Sequence, residues 1–100
     1  MKAISIKEPY ASEILEGEKT VEYRSWKTNY RGDLLICASQ SPRMKLSGKA
    51  VCIVNLCKIT GDEFSEYEWH LNDIRPVEHF PVKGKLGLFE VELPAPAGRK

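Results

Sequence analysis

Lys19, Glu22 and Arg24 stand close together in the run Gly17-Glu18-Lys19-Thr20-Val21-Glu22-Tyr23-Arg24. Their types suit the capture of a polar, anionic ligand. Arg24 offers a planar fork for phosphate or carbonyl oxygen, and Lys19 a mobile point charge. Glu22 can accept a hydrogen bond from an exocyclic amino group or a sugar hydroxyl, as carboxylates do when they read cytosine. If the chain is an enzyme, Lys19 and Glu22 are its catalytic candidates, Glu22 as a general base on water and Lys19 as nucleophile or oxyanion partner. A charged lysine beside an anion binds anions well and attacks carbonyls poorly, which favours binding over catalysis. With no ligand at all, the same residues would be a rim ion pair worth about 0–1 kcal/mol. Their hydrophilic placement predicts that losing Lys19 or Arg24 changes stability by no more than about 1 kcal/mol.

Aromatic residues interleave with further cations. Trp26, Lys27, Tyr30 and Arg31 lie in a polar loop just after Arg24. Stacking a base on such a ring is worth about 1–3 kcal/mol. Trp69 is a further stacking candidate, whereas Tyr10 sits on an apolar stripe and is expected in the core. Lys83 and Lys85 flank Gly84, whose missing side chain lets a backbone approach a phosphate. The candidate ligand-binding set is therefore Lys19, Glu22, Arg24, Trp26, Lys27, Arg31, Trp69, Lys83 and Lys85.

The elements that must position these residues are short. Residues 1–6 read as a strand. Pro9 suits the first helical position, Glu8 the positive helix end, and Gly17 the left-handed residue just past the helix. Tyr10, Ala11, Ile14 and Leu15 form one helical stripe. Residues 20–24 alternate, placing Val21 and Tyr23 on one face and Thr20, Glu22 and Arg24 on the other. On a straight strand Lys19 would face away from Glu22, so it joins the group only if Gly17 and Glu18 turn it. Residues 34–38 are continuously apolar, which marks a strand buried on both faces. Residues 50–59 are the longest apolar stretch and the expected central strand. Residues 61–67 suit a helical turn or loop, 69–77 a mixed segment ending near Pro76, and 88–93 a clean alternating strand. Five or six short strands with close turns and one helix give an α+β, mainly β chain, folded as a small barrel or sandwich. One domain over residues 1–93 with a flexible tail over 94–100 fits the length of 100.

Composition narrows the classes. The net charge is only +1, yet residues 24–49 hold six cations and one anion, a balance of +5. Residues 62–78 hold six anions and one cation, a balance of −5. This is either two solvated faces or a polarised molecule whose positive side meets phosphates. Cys37, Cys52 and Cys57 each sit in an apolar run, and an odd count argues against a disulfide framework. Neither the cysteines nor His70 and His79 show metal spacing, so no metal and no cofactor is expected. No run reaches the roughly 20 apolar residues of a membrane span. The natural compartment is a reducing cytoplasm.

The run IKEPYASEILEGEKTVEYRSWKTNYRGDLLICAS resembles the ASCH domain, a branch of the PUA-like superfamily named for its similarity to a domain of activating signal cointegrator 1. The family pattern G-x-K-x-x-E-x-R stands here as Gly17 to Arg24. Glu8-Pro9-Tyr10-Ala11-Ser12 is similar to the family's Q-P-W-A-S, and Arg24-Ser25-Trp26 to its R-S-W. Phe80-Pro81-Val82-Lys83-Gly84-Lys85 and the strand after Gly48 extend the likeness over about residues 4–93. The resemblance implies a PUA-like β-barrel with short flanking helices and a cleft lined by the motif. It also implies RNA or a nucleotide as ligand, with DNA or a modified nucleoside as variants. Some similar proteins hydrolyse N4-acylated cytidine through a lysine, a threonine three positions later and a later glutamate. Here Glu22 holds the threonine position, which weakens that amidohydrolase alternative. A ribonuclease would need a general base that neither histidine is placed to supply. A protein-interaction domain is a third possibility; protein partners are open.

Overall fold

The computed structural model describes residues 1–94. The chain runs β1 (Lys2–Ile6), α1 (Tyr10–Leu15), β2 (Val21–Arg24), β3 (Gly32–Ala38), β4 (Ala50–Thr60), β5 (Tyr67–Pro76) and β6 (Phe89–Glu90). All six strands form one sheet in the order β2-β5-β4-β3-β1-β6. β1 runs parallel to β3, with Ala3 opposite Leu35 and Ile6 opposite Ala38; the other pairs are antiparallel. The connection between β1 and β3 carries α1 and β2. It takes β2 to the edge of the sheet opposite β6, and the sheet curls into a small half-barrel that brings β2 near β1 without pairing the two.

The concave side holds the larger core. Ile4, Ile6, Leu34, Ile36, Val54, Leu56, Trp69 and Leu71 pack there with Ala11 and Ile14 of α1. The convex side is also covered over its middle. Ala3, Leu35, Cys37, Ala50 and Phe89 form a second cluster beneath Phe80, Val82 and Val91. β3 is thus buried on both faces, as its unbroken apolar run demands, and β4 is central. The 88–93 strand shrinks to β6, though Met1 and Val91 still exchange backbone hydrogen bonds beyond it. Residues 61–66 form a loop, not a helix. The tail expected past Pro94 lies outside the described residues. No helix among the described residues is long and apolar enough to cross a membrane.

The β4–β5 ladder shifts register twice. Ile53 faces Arg75 but Asn55 faces Asn72, so β5 carries one extra residue there. Asp73 sits in this bulge with φ +54°, a region that Asp tolerates better than most side chains. Leu56 faces Leu71 but Lys58 faces His70, so β4 carries the next extra residue, Cys57. The second shift cancels the first, and Ile59 then pairs with Trp69.

Candidate functional site

Local chemistry at the start of α1 shapes one wall of the site. The buried Glu8 carboxylate accepts the Ser12 N–H at 2.8 Å and the Ser12 hydroxyl at 2.7 Å, which fixes the first turn. The helix ends at Leu15, and Gly17 just past it takes φ +81°. Glu18 N–H and Lys19 N–H then both donate to the Glu13 carbonyl, at 2.9 and 3.1 Å. That turn swings Lys19 back over the motif, as the spacing required.

β2 positions the rest. Glu22 and Arg24 point inward, and Glu22 is only 8% exposed. Its carboxylate lies 3.6 Å from Lys19 Nζ and accepts Arg24 Nε–H at 3.0 Å. A second Arg24 nitrogen donates to the Ser5 carbonyl at 2.8 Å. Ser5 belongs to β1 and Arg24 to β2, strands that are not neighbours in the sheet. One guanidinium therefore bridges the open seam of the half-barrel. Lys19 Nζ also stands 5.0 Å from the Tyr10 ring centre and 5.3 Å from that of Tyr23, within cation–π range.

Beside this bridge opens a cleft of about 360 Å³. Lys7, Tyr10, Glu22, Arg24 and Lys85 line it, together with Ser5, Ser39, Leu86 and Gly87. Three cations and one carboxylate give its walls a net +2. Tyr10 departs from the core position expected of it. It is 49% exposed because the short helix buries only Ala11 and Ile14, leaving the first residue of the stripe at the cleft. Two lysines, a carboxylate, a forked donor and an exposed aromatic ring, already approached by Lys19 Nζ, thus share one opening.

Other candidates fall elsewhere. Trp69 is in the core at 0% exposure, and its indole N–H donates to the Trp26 carbonyl at 3.1 Å. No base can reach its face, so it is a packing residue. Trp26 sets its ring edge-on to Trp69, with centroids 4.8 Å apart, and is occupied there. Lys27 Nζ lies 5.8 Å from the Tyr67 ring centre. Arg31 closes its own loop through the carbonyls of Thr28 and Tyr30, both at 2.8 Å. These four are not brought to the cleft. Lys85 is, whereas Lys83 faces a separate hollow with Phe80 and Glu90. Gly84 is packed so tightly that a Cβ there would meet Ser5 Oγ at 2.5 Å. Sequence reasoning missed Ser5, Lys7, Ser39 and Tyr23 as neighbours of the site. Ser5 had a signal, a lone polar residue between Ile4 and Ile6. Among the described residues no three His, Cys, Asp or Glu side chains are grouped to hold a metal, and no buried side-chain polar atom lacks a partner.

The ASCH domain family profile matches residues 4–93, and the chain belongs to that family. Among the solved structures that share its fold are three of ASCH from Zymomonas mobilis. The protein itself superposes with a TM-score of 0.72 at 15% identity, covering 91% of this chain and 87% of that one. Two mutants of it give 0.72 at 16% and 0.71 at 17%, with 91% of this chain covered each time and 89% and 87% of theirs. At such identity the likeness concerns the fold alone. No curated protein is similar enough in sequence to count as a relative.

Proposed function

We propose that this protein binds single-stranded RNA, or a nucleotide derived from it, and that the cleft between β1, β2 and the 85–87 turn seats one base and its sugar. The convergence of Tyr10, Glu22, Arg24, Lys7 and Lys85 on one opening of about 360 Å³ carries the reading. Tyr10 supplies a ring for stacking. Glu22 accepts from an amino or hydroxyl donor, and the cations around it answer phosphate. The +5 balance over residues 24–49 supports the same choice.

Fluorescence anisotropy with a labelled short RNA tests this. Tyr10→Ala should weaken binding by about 5- to 150-fold, the equivalent of one lost stack. Lys85→Glu should weaken it further, with circular dichroism unchanged in both. Wild-type protein that binds neither RNA nor nucleotides would overturn the proposal.

A further inference from the structure

The base cleft has two neighbouring hollows, and they differ in charge. On one side lies an opening of about 380 Å³ walled by Tyr10, Lys19, Glu22, Tyr23 and Glu66, with one cation and two carboxylates. The 61–66 loop that supplies Glu66 also carries Asp62 and Glu63. On the other side lies a cavity of about 390 Å³ reaching Gln40, Gly48 and Val82, with Lys85 as its only charged wall residue. Arg43 reaches the Gln40 side chain at 3.4 Å, and Lys45 follows in the same loop.

We propose that this second cavity is a subsite for an adjacent nucleotide. On that basis, which rests on the RNA reading above, the preferred ligand is a strand of at least two nucleotides running from Tyr10 toward Gln40 and not toward Glu66. Four residues, Ser5, Ser39, Lys85 and Leu86, line both the base cleft and the second cavity, so the two form one groove. Each half has a volume at the lower end of that for small-ligand sites, about 300–1,000 Å³. Lys85 stands on the shared wall, where the phosphate joining two nucleosides would pass. Leu86, 99% exposed, stands beside it. An apolar side chain on that wall has little to gain from water and much from lying between two bases. The Gln40 amide offers a donor and an acceptor for a base edge. The hollow beyond Tyr10 repels a phosphate with its two carboxylates, which sets the direction of the strand.

The test compares cytidine monophosphate with the dinucleotide CpC, both titrated calorimetrically into wild type and into a Gln40→Glu/Arg43→Glu variant. Neither substituted residue touches the base cleft. CpC should bind wild type about 5- to 150-fold tighter than the monophosphate, one further stacked base. The variant should lose that gain while its affinity for the monophosphate stays within about twofold. Equal affinity of wild type for the two ligands, or a gain that survives both substitutions, would overturn the subsite while leaving the base cleft standing. Failure of wild type to bind either ligand would overturn the RNA reading with it.

Discussion

Glu22 and Arg24 should behave as one unit when removed. They meet at 3.0 Å with side chains 11% and 23% exposed. At an effective dielectric constant of about 20 the gross attraction is about 5 kcal/mol. Desolvation returns most of it, and a net value of about 1.5–3 kcal/mol is usual for a hydrogen bond between charged groups. Glu22→Ala also strands two cations beside each other, and Arg24→Ala also cuts the bridge to Ser5. Each should therefore cost about 2–3 kcal/mol. For Arg24 this exceeds the 1 kcal/mol expected of a surface cation, because Arg24 bridges two strands. At about 4–8 °C per kcal/mol for a chain of this size, each lowers the Tm by about 8–24 °C. The double variant should cost about 1–2 kcal/mol less than the two singles together. Lys19, 3.6 Å from the carboxylate, should cost no more than about 1 kcal/mol when replaced by alanine. Urea titration of wild type, both singles and the double gives the coupling directly. A coupling below about 0.5 kcal/mol would mean that the two residues act independently and would refute the reasoning.

If about four phosphates are contacted, log affinity for RNA should fall against log salt with a slope of about −3; a flat titration would point to a small neutral ligand. Incubation with N4-acetylcytidine should release no cytidine. Turnover above about 1 per second that vanishes in both Lys19→Ala and Glu22→Ala would establish the hydrolase instead. Burial pushes the Cys37 and Cys52 thiols up to about 12, Cys37 with some help from its neighbour Cys52, while Cys57 is exposed. A thiol reagent at pH 8 should therefore modify one cysteine quickly and all three only after denaturation; two fast thiols would contradict the burial. Arg75 holds the Asp33 carboxyl below its ordinary 3.8, and Lys2 holds Glu90 below 4.5, in each case chiefly through a hydrogen bond. Lowered carboxylates stabilise above their unfolded values and lose that effect as pH falls through the folded ones. The urea midpoint gap between wild type and Asp33→Asn/Glu90→Gln, small because both pairs are exposed, should close as pH drops from 6 to 3. A gap that persists would place its cause elsewhere.

The elements with unbroken patterns were readable in advance. β3 and β4 announce themselves as apolar runs, and Pro9 and Gly17 bracket α1. The motif's turn at Gly17 was also readable, since Lys19 needed it. What failed depends on neighbours that are remote in the chain. Tyr10 lies on the apolar stripe, yet the sheet covers only the middle of the short helix. Trp69 sits in a mixed, charged segment whose alternation breaks at the Asp73 bulge just past Leu71; its partners, Trp26 and Glu22, lie more than forty residues earlier. The bridge from Arg24 to Ser5 needs the sheet to curl, which no local pattern states. Residues 88–93 alternate as a strand should, but past Glu90 only Met1 remains to pair with them.

The two bulges of the β4–β5 ladder have a consequence for chain length. Deleting Cys57 would let Lys58 follow Leu56 directly, and Leu56 and Ile59 would still face the core. Deleting Asp73 would likewise leave Leu71 and Ile74 on the core side. A chain shorter by these two residues would retain every inward side chain and a ladder without interruption. It would lose the local bend and added twist that extra residues impose on a strand. The flatter ribbon would carry β2 away from β1 and part Arg24 from Ser5. A sound core could thus coexist with a missing cleft. In insertions and deletions, then, these two positions answer to the shape of the site and not to packing.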